Sequence, residues 1–107
     1  MTISITEFQK LELRVAEIID ARDHSNADKL MVLKIRVGDR EKQIVASIKQ
    51  HYPPASLVGK KIVIVDNLEP AVLRGEISEG MLLAASDGTT LTLVTPEHDI
   101  TSGAKVK

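Results

Sequence analysis

The 107-residue chain has no cysteine and no tryptophan, and Phe8 and Tyr52 are its only aromatic residues. Without cysteine there is no disulfide framework and no thiolate metal site, and a reducing, cytoplasmic setting is expected. No apolar run approaches the ~20 residues that cross a bilayer, so no membrane association is expected. The first residues, MTISITEFQK, lack the basic start and apolar centre of a secretory signal. There is no glycine-rich phosphate loop and no nucleophile elbow. His24, His51 and His98 are too far apart to form a helical metal pair and read as ordinary surface residues. Asp20, Asp23 and Asp28 do not have calcium-loop spacing. No catalytic constellation, metal or cofactor is therefore expected, and a non-catalytic binding module is.

What is present is a core-forming, unevenly charged chain. Hydrophobic residues make up 43% of it, enough for one domain over residues 1–107 with a true core. The net charge of −1 conceals a strong asymmetry: residues 1–28 carry −3, residues 29–61 carry +6 and residues 62–107 carry −4. Such a distribution can steer a polyanion to one face of a near-neutral protein. With two aromatics there is no platform for stacking successive bases, as sequence-tolerant single-strand binders require. A nucleic-acid partner would be held by cations, backbone amides and shape, which favours a structured RNA.

Hydropathy alternation predicts an all-β chain. Thr6 and Gln9 have capping-box spacing, so a helical turn is expected near residues 7–10. Leu13, Val15, Ile19 and Ala21 alternate, while Glu17 and Ile18 break the phase, which predicts a long strand with a bulge. Leu33, Ile35 and Val37 face inward in the next strand, then Ile44, Ala46 and Ile48, with Gln43, Val45 and Ser47 outward. "HYPPASLVGKK" reads as a connection with one helical turn. "KKIVIVDN" reads as a strand covered on both sides. A long loop, "NLEPAVLRGEISEG", leads to "MLLAASDG", a hairpin turn at "SDGTT" and a further strand, "TLTLVTP". Five strands with short helical turns suggest a Greek-key barrel of the OB type, which binds oligonucleotides on its second and third strands; an SH3-like barrel has the same periodicity.

Two stretches are candidates for function. The polar elbow "HSNADKL" runs into a strand that presents Lys34 and Arg36 on one face. Lys29, Lys34 and Arg36 would then form one phosphate-binding stripe. In the loop "EPAVLRGEISEGM", Arg74 is the only basic residue between Lys61 and Lys105. Arg74, Ser78 and Met81 are taken as candidate contacts, whereas Leu68 and Leu73 are expected to pack inward.

Four segments in this order, "LELRVAEI", "NADKL", "VGKKIVIVDNLEPAVLRG" and "ISEGMLLAASDG", resemble the tRNA-binding domain family over roughly residues 6–107. Its members stand at the C-terminus of methionyl-tRNA synthetases, as a separate β-subunit, or alone. The resemblance implies an OB-fold with a C-terminal dimerisation extension, here about residues 90–107. It also implies a symmetric homodimer and structure-specific tRNA binding with little sequence preference, with an aminoacyl-tRNA synthetase as a further partner. Carried across, it adds Arg14 of "LRV" to the RNA-binding set and matches Lys29, Ser78 and Met81. Two positions depart from the common pattern: Ser47 replaces a frequent glycine in "VAS", and Ser25 a frequent proline before the elbow.

The residues beyond the five barrel strands include Leu91, Leu93, Val94 and Val106, more apolar surface than a solvated tail needs. They are the expected dimer interface. A related dimeric branch is a secretion-linked chaperone that binds peptides, and an exposed apolar groove would favour that alternative. No nucleotide-binding signature suggests aminoacylation by this chain alone.

Overall fold

The computed structural model describes residues 1–107. It is mostly β, a curled OB-like half-barrel organised around one long strand. That strand, β1 (Leu13–Asp23), pairs with β2 (Met31–Val37) along its second half and with β4 (Lys61–Val65) along its first. Edge strand β3 (Arg40–Ala46) follows β2 as a hairpin. The register shifts between Ile18 and Asp20, so Ile19 is the extra residue of the expected bulge. The bulge lets one continuous strand serve both halves of the sheet.

The core contains Ile18, Leu33, Ile35, Ile44, Ile62 and Ile64, all fully buried, and is almost entirely aliphatic. β4 is covered on both faces, as its unbroken apolar run implies. Ile62 and Ile64 enter the main core, while Val63 and Val65 join Leu13 in a second cluster outside it, with Phe8, Leu83 and Val106 packed against them. The N-terminal helix α1 spans Ile5–Phe8 and is capped by Ser4, whose hydroxyl accepts from the Glu7 amide. The cap is therefore Ser4 with Glu7, not Thr6 with Gln9, because Ser4 is the residue in an extended conformation. A single 3₁₀ turn at Pro54–Ser56 fills the Pro-rich connection.

The stretch expected to be a long loop is instead a hairpin, β5 (Ala71–Leu73) and β6 (Glu76–Ser78). Arg74 and Gly75 turn it with φ of 53° and 87°, the positive pair that a type I′ turn demands. The hairpin leads to β7 (Met81–Leu82), which pairs with β4. Beyond it β8 (Ala84–Ser86) and β9 (Leu91–Leu93) form the hairpin expected around "SDGTT", whose turn is held by the Asp87 carboxylate accepting from the Thr89 and Thr90 amides.

The barrel closes through side chains rather than a ladder. The open edge of β3 is sealed by residues 78–79. The Glu79 carboxylate accepts from the Gln43 amide, the Glu79 amide donates to the Gln43 carbonyl, and the Ser78 hydroxyl accepts from the Val45 amide. These contacts bury Val45, which parity alone placed outward. Gly80 lets the chain pass close to β4: its φ is 149°, and a Cβ there would stand 2.9 Å from the Val65 carbonyl oxygen.

The C-terminal residues fold back onto their own barrel. β10 (Lys105–Val106) pairs with the start of β1, and the Gly103 amide donates to the Val15 carbonyl at 2.7 Å. This changes the reading of the four expected interface residues. Leu93 lies in the chain's own core, Leu91 packs against that core, and Val106 packs on the Leu13 cluster; only Val94 remains exposed. Alternating apolar residues mark a face that must be covered, and here the barrel itself covers most of it.

Candidate nucleic-acid interface

The elbow between β1 and β2 is held by a histidine. His24 is buried, contrary to the expectation of a surface residue. Its Nδ1 accepts from the Asn26 amide, and its Nε2 lies 3.1 Å from the Leu73 carbonyl of the β5–β6 hairpin. With Nδ1 accepting, Nε2 is the nitrogen that donates to the Leu73 carbonyl. The backbone pins the elbow further: the His24 amide donates to the Leu30 carbonyl and the Lys49 amide to the Lys29 carbonyl.

These contacts bring together three cations from distant parts of the chain. Lys49, just past β3, and Arg74, at the hairpin tip, line one hollow of about 260 Å³ with His24, Asn26 and Asp28. Lys29 and Arg74 border an adjoining hollow of about 250 Å³. Lys49 Nζ is 3.3 Å from the Ala27 carbonyl. None of the three cations has a carboxylate at ion-pair distance, and Asp28 is the one acid among them. Lys49 was not among the residues singled out from the sequence.

The strand face is electrostatically different. The register places Lys34 between Asp20 and Gln43, and Arg36 between Glu17 and Glu41. Lys34 Nζ lies 3.7 Å from Glu41, and Arg36 lies 3.6 Å from Glu17. With Lys61 beside Glu17 on β4, these rows hold three cations and three carboxylates and carry no net charge. The pairs are exposed and individually weak, ~0–1 kcal/mol, but each carboxylate offsets part of its partner's attraction for a polyanion. Lys29 therefore belongs with Lys49 and Arg74 rather than in one stripe with Lys34 and Arg36.

The other candidates fall elsewhere. Arg14 sits at the opposite end of β1 from the elbow, where its Nη1 donates to the Gly103 carbonyl and its Nε lies 3.7 Å from Asp66. Ser78 is buried, its hydroxyl engaged with Val45 and the Gly80 carbonyl, so it faces the fold and not solvent. Met81 is exposed and lines an apolar groove with Leu68, Leu73 and Ala71. Leu68 and Leu73, expected to pack inward, are instead 41% and 37% exposed along this groove, because the short hairpin has only one side against the sheet.

A family model described as "Putative tRNA binding domain" matches residues 13–105. The chain belongs to the tRNA-binding domain family. It is 47% identical over 105 residues to a methionine–tRNA ligase of Nanoarchaeum equitans, with 98% of this chain and 14% of the relative covered. It is 51% identical over 104 residues to that of Thermotoga maritima, with 97% of this chain and 16% of the relative covered. The chain thus spans about one-seventh of the length of these relatives. Among solved structures, a MetRS-related protein from Pyrococcus horikoshii superposes with a TM-score of 0.93 at 30% identity, covering 100% of this chain and 99% of that one. The chaperone CsaA of Bacillus anthracis str. Ames superposes equally well, TM-score 0.93 at 27% identity, with both chains fully covered. Within the tRNA-binding domain family architecture, this chain assembles three of its six unpaired cations, Lys29, Lys49 and Arg74, at the elbow and hairpin tip. No helix is long and apolar enough to cross a membrane.

Proposed function

We propose that the chain binds folded tRNA, with Lys29, Lys49 and Arg74 on the phosphate backbone and Lys34 and Arg36 as flanking contacts. The carrying observation is the convergence of three unpaired cations on adjoining hollows, supported by family membership. Phosphate contacts fix position and carry no base information, so the binding is largely independent of sequence. The domain acts alone or as the tRNA-binding appendix of a methionyl-tRNA synthetase. In a titration at matched salt, full tRNA should bind more tightly than unstructured RNA of equal length and charge. Equal affinity would reduce the attraction to generic electrostatics.

The reading includes a homodimer. Val94 is exposed, and its backbone bonds to Leu83 and Val63 place it beside the outer cluster of Leu13, Val63 and Val65. That thinly covered apolar face is the natural self-association surface. Light scattering should give a dimer mass that Val94→Asp halves. A wild-type monomer that binds tRNA at full strength would remove the dimer from the account. The exposed groove beside Met81 and the superposition on the chaperone CsaA are consistent with a peptide-binding, chaperone-like role, while family membership favours tRNA.

A further inference from the structure

The groove is open, apolar and unoccupied by any part of the chain, with a volume of about 390 Å³. Leu68, Leu73 and Met81 line it while remaining 41%, 37% and 49% exposed. Two polar residues, Ser47 and Glu69, also border it. It adjoins the cation cluster through two separate stretches of chain. Leu73 in the groove immediately precedes Arg74 in the cluster, and Ser47 in the groove lies two residues before Lys49. Two residues span at most about 7 Å, so the groove and the cation cluster lie within reach of a single nucleotide.

We infer that this groove receives one unpaired nucleobase of the RNA whose phosphates rest on Lys29, Lys49 and Arg74. The inference rests on the proposed phosphate site. Apolar walls with a few placed polar groups are what a flat, partly polar ligand requires, and unpaired bases are the parts of an RNA that can be splayed into such a site. Neither aromatic residue lines the groove, so no ring-on-ring stack forms there. Met81 supplies the substitute, because a thioether is polarisable and makes favourable contacts with aromatic rings. Glu69 sets a preference. An ionised carboxylate only accepts hydrogen bonds, so it selects a base edge with an exocyclic amino group, as carboxylates do for cytosine. Ser47, standing where the sequence pattern more often has glycine, adds a hydroxyl at the same border. A cytosine or adenine in the unpaired position is bound in preference to uracil.

The experiment uses the full chain and two RNA stems with the same number of phosphates, one blunt and one with a single unpaired 2-aminopurine. The bulged stem should bind about tenfold tighter, equivalent to ~1.4 kcal/mol, with a change in 2-aminopurine emission. In a variant carrying Leu68→Ser and Leu73→Ser, both at exposed positions, the emission change and the tenfold advantage should vanish. Blunt-stem affinity and its salt dependence should stay as in wild type. Glu69→Gln should narrow the difference between unpaired cytosine and uracil. Equal wild-type binding of blunt and bulged stems, with normal salt dependence, overturns the base site and leaves the phosphate site standing. Failure of both stems to bind overturns both. An uncharged apolar peptide that binds wild type and not the groove variant, while the bulged stem binds both alike, assigns the groove to peptides.

Discussion

Replacing Lys29, Lys49 and Arg74 together by alanine should lower tRNA affinity about 100-fold near physiological salt. Each cation contributes on the order of 1 kcal/mol, and 1.4 kcal/mol is tenfold in affinity, so three contacts give two decades. The salt dependence gives a second reading of the same loss. Each phosphate contact contributes about 0.7–0.9 to the slope of log affinity against log salt, so the slope should fall by about two to three units. Thermal stability should barely change, because Lys29 and Arg74 are exposed and Lys49 contributes a single 3.3 Å bond to the Ala27 carbonyl. The matched control replaces Lys34 and Arg36, which already face Glu41 and Glu17; its effect should be several-fold at most. A larger loss from the strand pair than from the elbow triple would return the binding face to the sheet.

The largest effect on folding is expected at Asp66. Its side chain is 7% exposed and lies 2.6 Å from Arg40 and 2.7 Å from Lys42, with Arg14 at 3.7 Å. Burial alone would push the Asp66 carboxyl up, but hydrogen bonds from Lys42 and Arg40, together with their charges, outweigh it and hold the group below the usual carboxylate range. Asp66→Ala would leave three cations facing one another, with Lys42 only 17% exposed. Removing one partner of a buried pair costs 3–5 kcal/mol; Arg40 is half exposed and can rehydrate, so about 2–4 kcal/mol is expected. For a domain of this size that lowers Tm by roughly 10 °C or more. The pH dependence has a definite sign. A carboxylate whose folded pKa is depressed stabilises the fold above its unfolded value, about 3.9, and loses that contribution as pH falls through the folded value. The gap between wild type and Asp66→Ala should therefore be full at neutral pH and close below about pH 4. A gap that persists undiminished at pH 2 would mean that packing, not charge, is what Asp66 supplies.

The parts of the fold legible in the sequence were those with enough residues to show a period. A bulge in β1, the two-sided burial of β4 and the hairpin at "SDGTT" follow from hydropathy phase and turn chemistry, although the bulge falls at Ile19, one residue past the expected break at Glu17 and Ile18. The β5–β6 hairpin was not legible, because its three-residue strands are too short to alternate and its turn uses Arg74 where asparagine or aspartate is the usual signal. The site was half legible for a related reason. Lys29 and Arg74 stood out locally, but nothing local marks Lys49, and nothing joins His24 to a carbonyl 49 residues away. The strand cations were visible while the acids that offset them were not, since Glu17 meets Arg36 only through the register of β1 against β2. The tail shows a limit of another kind. Periodicity marks Leu93 as facing something apolar, and only the folded chain shows that the partner is its own core.

The eleven residues of β1 give the molecule a handle and a working end. At one end Leu13 pairs with Val106, so the start of β1 and the C-terminal strand lie side by side. At the other end the strand delivers His24 and the elbow that carries Lys29. At about 3.3 Å per residue the strand is on the order of 30 Å long, in a molecule whose longest dimension is 39 Å. The segment that enters β1 and the C-terminal strand therefore lie together at the end of β1 opposite the elbow. A bulky fusion at the N- or C-terminus should thus be equally well tolerated, and a circular permutant that joins the old ends and opens elsewhere would keep the elbow intact.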